Sequence, residues 1–410
     1  MKPETLLKML GLAALAALSP LRAQDAPVMD LPMAREPSGT AWQPDAVGHH
    51  GIHEMAGDWM FMGHGALFAV QDWQDKPAGD AAFGIGWIMG MARRDWDRDR
   101  LEFQVMLSPE PFTVPRRGYP LLLQNGETYR GEPLHDAQHP HDLFMAVSAA
   151  WTHALSDHLA SQLYVAPSGE PALGPVAFPH RASAAFDPMA GLGHHWIDSS
   201  HVSFGVVTGA LFTESWKLEV SRFNGREPDE VRTNFDFGSL DSTSGRLSFN
   251  PSEHWSFQAS YGRLASPEAL EPGLAETRAT ASASYAGEVK GGQLVWTAGL
   301  GRARHTDEPV SHAVFAEATW DFGANAVFGR VEWTQKTGHD LAIEDPALHD
   351  RTFGVSALSL GYHRTLTELG AFRLGVGTRL TVNEVPADLA TARYGTRHPL
   401  GAVVYFRLGS

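Results

Sequence analysis

The sequence predicts an all-β fold, a transmembrane antiparallel β-barrel of about 16 strands. Three observations predict it. Apolar and polar residues alternate over strand-length runs, the connections between runs are alternately long and short, and charged side chains keep to one phase of each run. Short turns are expected on the periplasmic side of such a barrel, and long loops on the external side.

The first 23 residues have the pattern of a secretory signal peptide. Lys2 and Lys8 flank the start of a short apolar run, Met9–Leu18, and Ala23 suits the last position before cleavage. The run is too short for a membrane-spanning helix, which needs about 20 residues. The chain has no cysteine, which excludes a lipoprotein anchor, disulfides and thiolate metal sites.

The charge excludes a basic nucleic-acid binder, because the chain carries a net charge of −15. Cleavage after Ala23 removes Lys2, Lys8, Arg22 and Glu4, and so takes the net charge to −17. The mature chain then begins with Gln24–Asp58, which is rich in Pro, Gly, His and Met and has no sustained period. We interpret it as an irregular segment that is long enough to enter the lumen as a plug. Residues 59–410 form the predicted barrel.

The clearest alternation lies in the hairpin formed by Ala82–Ala92 and Leu101–Ser108. Successive side chains of a strand point to opposite faces, so each run is predicted to have one apolar face. In the first run, one phase is bulky and apolar and the other is rich in glycine. The bulky phase is expected to face lipid, and it contains Phe83, Ile85, Trp87, Met89 and Met91. The glycines of the other phase are then expected to leave space in the lumen.

The remaining strands follow from the same alternation. With the hairpin they are Trp59–Asp72, Ala82–Ala92, Leu101–Ser108, Leu143–Leu155, His158–Ala166, His201–Phe212, Ser215–Phe223, Ser242–Asn250, Trp255–Arg263, Thr277–Ala286, Gly292–Gly301, His312–Phe322, Asn325–Gln335, Arg351–Arg364, Gly370–Thr381 and Pro399–Leu408. Connections after even-numbered strands are tight, and those after odd-numbered strands are longer. All long loops therefore emerge at one end, as in an even-stranded membrane barrel with both termini in the periplasm.

The two phases of the strands differ in composition. Tryptophans on the apolar phase are expected to form a lipid-facing girdle: Trp87, Trp151, Trp216, Trp255, Trp296, Trp320 and Trp333. The alternative is that they are core residues of a soluble barrel. Charged residues on the other phase are expected to line the lumen: Glu102, Lys217, Glu219, Arg246, Arg278, Glu317, Asp321, Arg330, Glu332, Arg373, Arg379 and Arg407. They could line an open channel, or pair with one another and with inserted loops.

Histidine is concentrated in the first half of the chain, where 13 of the 20 lie between His49 and His201. Imidazole and thioether ligands without thiolates suit copper best, and zinc or nickel next. The candidate metal ligands are His49, His50, His53, His64, His135, His139, His141, Asp142, His180, His194 and His195. The alternative is that these side chains hydrogen-bond irregular loops in the barrel mouth. No motif requires a cofactor.

A hydrolase is the third functional hypothesis. The stretch from His194-His195 to Ser199-Ser200-His201 contains a potential nucleophile and base. No Gly-x-Ser-x-Gly elbow surrounds either serine, and neighbours in sequence seldom form a triad. The sequence therefore assigns no catalytic residue.

Several loop stretches resemble an uncharacterised family of bacterial outer-membrane β-barrel proteins. They are Met33–Asp45, Met55–Trp59, Arg117–Tyr129, His139–Met145, Gly169–Ala184, Gly193–His201, Phe223–Glu230, Asp241–Pro251 and Ser266–Pro272. The resemblance implies a barrel in the outer membrane of a Gram-negative bacterium, and it implies neither an activity nor site residues.

The sequence leads to three ranked expectations of function. The first is a selective channel for small polar or charged solutes, the second is transition-metal binding, and the third is hydrolysis. The expected partners are the outer-membrane bilayer and the assembly machinery, which recognises an aromatic residue at the end of the last strand. Here Phe406 is followed by Arg407 and then by Leu-Gly-Ser, so that signal is partial.

Overall fold

The computed structural model describes residues 27–48, 51–270, 272–306 and 309–410. The predicted signal peptide lies outside these ranges, as do His49 and His50. The strands, in chain order, are β1 (Ile52–Ala56), β2 (Trp59–Gln74), β3 (Asp80–Trp96), β4 (Asp99–Leu107), β5 (Tyr119–Tyr129), β6 (Glu132–Gln138), β7 (Phe144–Ser156), β8 (Leu159–Ser168), β9 (Val206–Phe212), β10 (Trp216–Phe223), β11 (Ser242–Ser252), β12 (Trp255–Ala265), β13 (Ala275–Val289), β14 (Gly292–His305), β15 (Ser311–Phe322), β16 (Asn325–Thr337), β17 (Thr352–Leu369), β18 (Phe372–Glu384) and β19 (Leu400–Gly409).

Sixteen of these strands form a closed antiparallel barrel, as the sequence predicts. Each strand pairs with the next one along the chain, β4 pairs with β7, and β19 closes the barrel on β2. The closing register runs from Gly401 opposite Gln74 to Gly409 opposite Ala66. Every barrel strand therefore has two partners, which satisfies the backbone groups that a bilayer cannot.

The remaining three strands lie off the barrel wall. The short strand β1 pairs only with the start of β2, and all five of its residues are exposed. Strands β5 and β6 form a separate hairpin within the loop between β4 and β7. The helices of the described residues are turns of three to five residues, and none is long and apolar enough to cross a membrane.

The connections alternate in length, which confirms the predicted plan. Tight turns of two or three residues follow β3, β7, β9, β11, β13, β15 and β17. The intervening connections are longer, and the longest occupy residues 108–143 and 169–205. We refer to the two ends as the tight-turn end and the long-loop end. The predicted boundaries differ most at β9, which begins at Val206 and not at His201, and at β17, which ends at Leu369 and not at Arg364.

The outer face is apolar and carries tryptophans near both of its margins. Trp151, Trp216, Trp255, Trp296, Trp320 and Trp333 all lie on the outward register of their strands. Trp320 is opposite Val327 and close to a tight turn, whereas Trp333 lies six residues further along β16. At about 3.4 Å per residue the two levels are roughly 20 Å apart along the strand. For a strand tilted by about 40° this corresponds to about 16 Å of height, within the apolar band of about 25 Å of a membrane barrel.

The prediction for β3 is wrong, because its bulky apolar row faces the lumen. Trp87 is 8% exposed and its indole Nε1 donates a hydrogen bond to the Pro179 carbonyl oxygen at 3.0 Å. Phe83, Ile85, Met89 and Met91 are buried on the same face, whereas the glycine phase points outward. The reason is that a loop packs against the inside of this wall, so an apolar row can be buried there as well as in lipid.

Candidate functional site

The N-terminal segment closes the tight-turn end of the lumen. Val28 N–H donates to the Asp157 carbonyl oxygen and Ala46 N–H to the Glu253 carbonyl oxygen, both at 2.8 Å, so the segment is attached to two tight turns. Arg35 is 1% exposed and pairs with Asp45. Residues 27–48 thus lie at the tight-turn end of the barrel, whereas all five residues of β1 are exposed.

The N-terminal segment also binds charged residues of the barrel wall. The Lys217 ammonium donates to the Thr40 carbonyl oxygen at 3.0 Å and contacts Glu36. The Arg246 guanidinium donates to Thr40 Oγ1 at 2.9 Å and to Glu219 Oε2 at 2.8 Å. These wall charges are therefore neutralised by one another and by the N-terminal segment.

The loop 169–205 fills the centre of the barrel. Its Arg181 forms ion pairs with Asp198 of the same loop, at 2.8 Å, and with Glu317 of β15, at 2.5 Å. Glu317 in turn accepts a hydrogen bond from Arg330 of β16 at 2.7 Å. Burial raises the pKa of the Asp198 carboxyl, but Arg181 and His194 outweigh burial and lower it. The loop is thus held to the wall by a buried ionic network.

All twelve residues expected to line the lumen lie on the inward register of their strands. Most of them are buried and paired: Glu219 with Arg246, Arg278 with Glu276, Asp321 with Arg373, and Arg379 with Asp187. Glu102, Lys217, Glu317, Arg330, Glu332 and Arg407 occupy the same inner surface. Of the two arrangements left open by the sequence, the structure has the paired one, with loops inserted.

Histidines of the loops 108–143 and 169–205 come together beside the Arg181 network. The His201 ring lies 5.2 Å from the His141 ring and 5.2 Å from the His194 ring, centroid to centroid. His195 lies 5.4 Å from His194 and 6.0 Å from His139. Because these residues come from segments about 60 positions apart, only the fold brings them together.

An oxygen atom orients each of three rings through Nδ1. His141 Nδ1 lies 3.0 Å from Glu110 Oε1, His194 Nδ1 lies 2.7 Å from Asp198 Oδ1, and His201 Nδ1 lies 2.8 Å from the Asp198 carbonyl oxygen. The Nε2 atoms of His141 and His201 are buried without a hydrogen-bond partner. Such an arrangement, with Nδ1 held and Nε2 free, is typical of metal-binding histidines.

The environment sets the charge of these rings. Burial would lower the pKa of His141, but the Glu110 carboxylate outweighs it and raises that pKa. Burial lowers the pKa values of His195 and His201 well below the ordinary value, and neighbouring imidazoles add to the effect. His195 and His201 are therefore neutral near pH 7.

The other candidate metal ligands are dispersed. His53 lies on exposed β1, His64 on the inner wall at β2, and His135 contacts the Asp340 carbonyl oxygen at 2.9 Å. His139 pairs with Glu127 at 2.9 Å, and Asp142 with Arg232 at 3.1 Å. Within the described ranges, no group of three or more His, Asp or Glu side chains is arranged to hold a metal ion. The candidate set is thus not a single site.

The two candidate serines do not form a triad. Ser199 Oγ accepts a hydrogen bond from Arg278 at 2.8 Å and lies 3.5 Å from the His195 carbonyl oxygen. Ser200 is buried, and its carbonyl oxygen accepts from Ser203 Oγ at 3.0 Å. Among the described residues no hydrogen bond joins either hydroxyl to an imidazole, so this geometry does not support the hydrolase hypothesis.

A cavity of about 200 Å³ lies at the long-loop end and is bordered by His139 and His195. Both acidic and basic side chains line it, including Glu127, Glu227, Glu276, Arg226, Arg278 and Lys336. Burial and the nearby Glu268 raise the pKa of Glu227 well above its ordinary value. Arg278 was predicted from its strand phase. Lys336 was missed because the predicted strand ended at Gln335, one residue before it, and Glu227 because only the fold places its loop beside this cavity.

Solved structures of outer-membrane barrels share the fold. Salmonella typhi OmpF in complex with daunomycin is 9% identical, with a TM-score of 0.53, over 87% of this chain and 100% of that one. Pseudomonas putida OprB is 10% identical, with a TM-score of 0.53, over 86% and 94%. The anion-selective porin from Comamonas acidovorans is 9% identical, with a TM-score of 0.51, over 86% and 100%.

No protein-family model and no curated protein sequence matches the chain. At identities of 9–10%, the three porins establish the porin-like barrel fold alone.

Proposed function

We propose that this protein is an outer-membrane barrel that admits small polar or charged solutes, and that its inserted segments restrict the passage. The observation that carries this proposal is the polar, ion-paired inner surface, which ends in a charged cavity at the long-loop end. A barrel that served only as a scaffold would gain more from an apolar interior, because a buried ion pair is often less stabilising than well-packed hydrophobic residues.

The similarity of fold to an anion-selective porin agrees with the proposal. The chain itself combines a net charge of −15 with cationic side chains on the inner wall, such as Arg330, Arg379 and Arg407. Opposed charges of this kind would orient a charged solute in the passage. The proposal includes export by a cleaved signal peptide and residence in the outer membrane of a Gram-negative bacterium.

Conductance across a planar lipid bilayer tests the proposal. The intact protein is expected to conduct weakly, and a variant that lacks residues 27–48 is expected to conduct more, because the deletion opens the tight-turn end. Reversal potentials in a salt gradient would then give the ion preference. If neither protein conducts although both are folded, the channel proposal fails.

Metal binding by the loop histidines is the second candidate function. It is favoured by the unpartnered Nε2 atoms of His141 and His201, beside rings whose Nδ1 atoms are already held. Cu²⁺ and Zn²⁺ content of the purified, tag-free protein should fall in His141→Ala, and should fall less in His139→Ala because Glu127 engages His139. Equal metal content in the wild type and His141→Ala would remove this candidate.

A further inference from the structure

Sulfur and imidazole side chains line one patch of the inner wall. Strand pairing places His64 of β2 opposite Met89 of β3, and Met89 opposite Met106 of β4. The neighbouring row contains Met62 opposite Met91. All four methionines are less than 10% exposed. The register of three adjacent strands thus fixes one imidazole and two thioethers in a single row across the wall.

A second imidazole approaches this row from the central loop. The His180 ring packs on the Trp87 ring, 3.9 Å between centroids, and its Nε2 lies 3.0 Å from Met106 Sδ. The His64 and His180 rings are 6.1 Å apart. Ligand atoms on one tetrahedral ion are about 3.5 Å apart when metal–nitrogen bonds are about 2.0 Å and metal–sulfur bonds about 2.3 Å long. A shift of a few tenths of an ångström would therefore bring the His180 and Met106 atoms to coordination spacing.

Met89 is held in place by a polar neighbour. Gln104 Nε2 lies 3.1 Å from Met89 Sδ and also donates to the Ser38 carbonyl oxygen at 3.1 Å. Ser38 belongs to the N-terminal segment, so one amide links that segment to the sulfur atom. The amide thus fixes the position of the Met89 sulfur atom on the inner wall.

Next to the row lies a cavity of about 130 Å³. It is bordered by His64 and His180, by Met33 and Met62, and by Trp87. A water molecule occupies about 30 Å³ of liquid volume, so this space can admit a small ion. The charged side chains on its lining are Arg181, Arg407 and Glu36.

We propose that His64, Met89, Met106 and His180 form a binding site for a soft monovalent cation of the Cu(I) and Ag(I) class. Thioether ligands select soft ions such as Cu(I), and imidazole also binds copper, whereas Mg²⁺, Ca²⁺ and Mn²⁺ prefer carboxylate and carbonyl oxygen. A buried, apolar wall also suits a singly charged ion better than a divalent one. The site is independent of the channel proposal and of the cluster around His141 and His201, because it uses different side chains.

Binding of Ag⁺ to the tag-free protein in detergent tests this proposal, since Ag⁺ needs no reductant. The double variant Met89→Leu/Met106→Leu keeps the volume of both side chains and removes both sulfur atoms. It should lose one tightly bound Ag⁺ per chain in equilibrium dialysis, and His180→Gln should weaken the same binding. The matched control is Met145→Leu/Met189→Leu, which removes two equally buried sulfur atoms of the same core and should keep wild-type binding.

Folding and selectivity are checked alongside. Each variant should retain the heat-dependent gel mobility of a folded barrel, and excess Zn²⁺ should not displace the Ag⁺. Equal Ag⁺ binding by the wild type and Met89→Leu/Met106→Leu would overturn the proposal, as would equal losses in the two double variants. Conductance is measured separately, so failure of this site and failure of the channel proposal remain distinguishable.

Discussion

At the scale of the residue, Arg181 links the central loop to the barrel wall. It joins Asp198 on its own loop to Glu317 on the wall, and all three side chains are less than 10% exposed. Removing one member of a buried ionic network leaves the charges of the other members buried and only partly paired. The loss of folding free energy is then usually larger than the contribution of an exposed ion pair.

We expect Arg181→Gln to lower the free energy of unfolding by about 3 kcal/mol, because Asp198 and Glu317 each keep a second partner. Chemical unfolding in detergent micelles measures the change. The matched control is Arg351→Gln, which breaks an ion pair with Asp388 in which both side chains are about half exposed, and should leave stability unchanged. Equal effects of the two variants would show that Arg181 does not hold the loop.

Glu110 and His141 form a second buried pair whose contribution depends on pH. Burial opposes ionisation of both groups, but their mutual attraction lowers the pKa of Glu110 and raises that of His141. The stability from Glu110 is present above its unfolded pKa, near 4.5, and is lost as the pH falls through its lower folded pKa. The stability from His141 is present below its unfolded pKa, near 6.5, and is lost as the pH rises through its higher folded pKa.

The pair should therefore contribute most between about pH 4.5 and 6.5. We expect Glu110→Gln to lower the melting temperature most in this window, and progressively less as the pH rises through the raised pKa of His141. Melting curves of the wild type and the variant at several pH values provide the test. A difference in melting temperature that does not change with pH would rule out this ionic contribution.

At the scale of the element, the N-terminal segment and the central loop are additions to a complete barrel. The barrel closes through β19 and β2 without them. The N-terminal segment is attached to two tight turns and to inner-wall side chains, and the central loop contacts the inner wall and the histidines of the loop between β4 and β7. Membrane barrels are stabilised by their closed hydrogen-bonded wall, so an inserted segment can be removed without removing an edge partner.

We expect deletion of residues 27–48 to leave a folded barrel and to raise its conductance severalfold. The comparison is with His53→Ala/Met55→Ala, which alters β1 outside the lumen, where both side chains are exposed, and should conduct like the wild type. Heat-dependent gel mobility establishes folding, and single-channel recording gives the conductance. An unfolded deletion variant would show that the segment is part of the structural core.

At the scale of the whole molecule, the outer face must match the bilayer in height and polarity. Leu360 on β17 is 61% exposed and lies opposite Gly329, between the levels of Trp320 and Trp333. Leu369 is 54% exposed but lies beside the tight turn that follows β17. The two leucines thus sample the middle and the margin of the apolar band.

Leu360→Arg should destabilise the barrel in lipid vesicles by about 2–4 kcal/mol, and Leu369→Arg by at most about 1 kcal/mol. Refolding from urea into vesicles, followed by gel mobility, measures both. Equal costs for the two substitutions would place Leu360 outside the bilayer and would contradict the assigned orientation of β17.

Alternation along the chain was sufficient to predict the architecture. Side chains that point alternately to two faces revealed the sixteen strands and the inward position of residues such as Glu317 and Arg330. The limits of the strands then gave the alternation of long and short loops. These features are local, since each depends on residues within one strand or one turn. The site was only partly predictable: the loop histidines were identified by their density, but Met89 was predicted to face lipid and Met106 was assigned to a strand without a role.

The hairpin of β3 and β4 shows where local information ends. The sequence by itself determined that Phe83, Trp87 and Met89 share one face and that the glycines share the other. Only the tertiary structure decided which face meets lipid. The physical reason is that an apolar row loses its contact with water equally well against lipid or against an inserted loop, so the choice depends on Pro179 and His180, about 90 positions away.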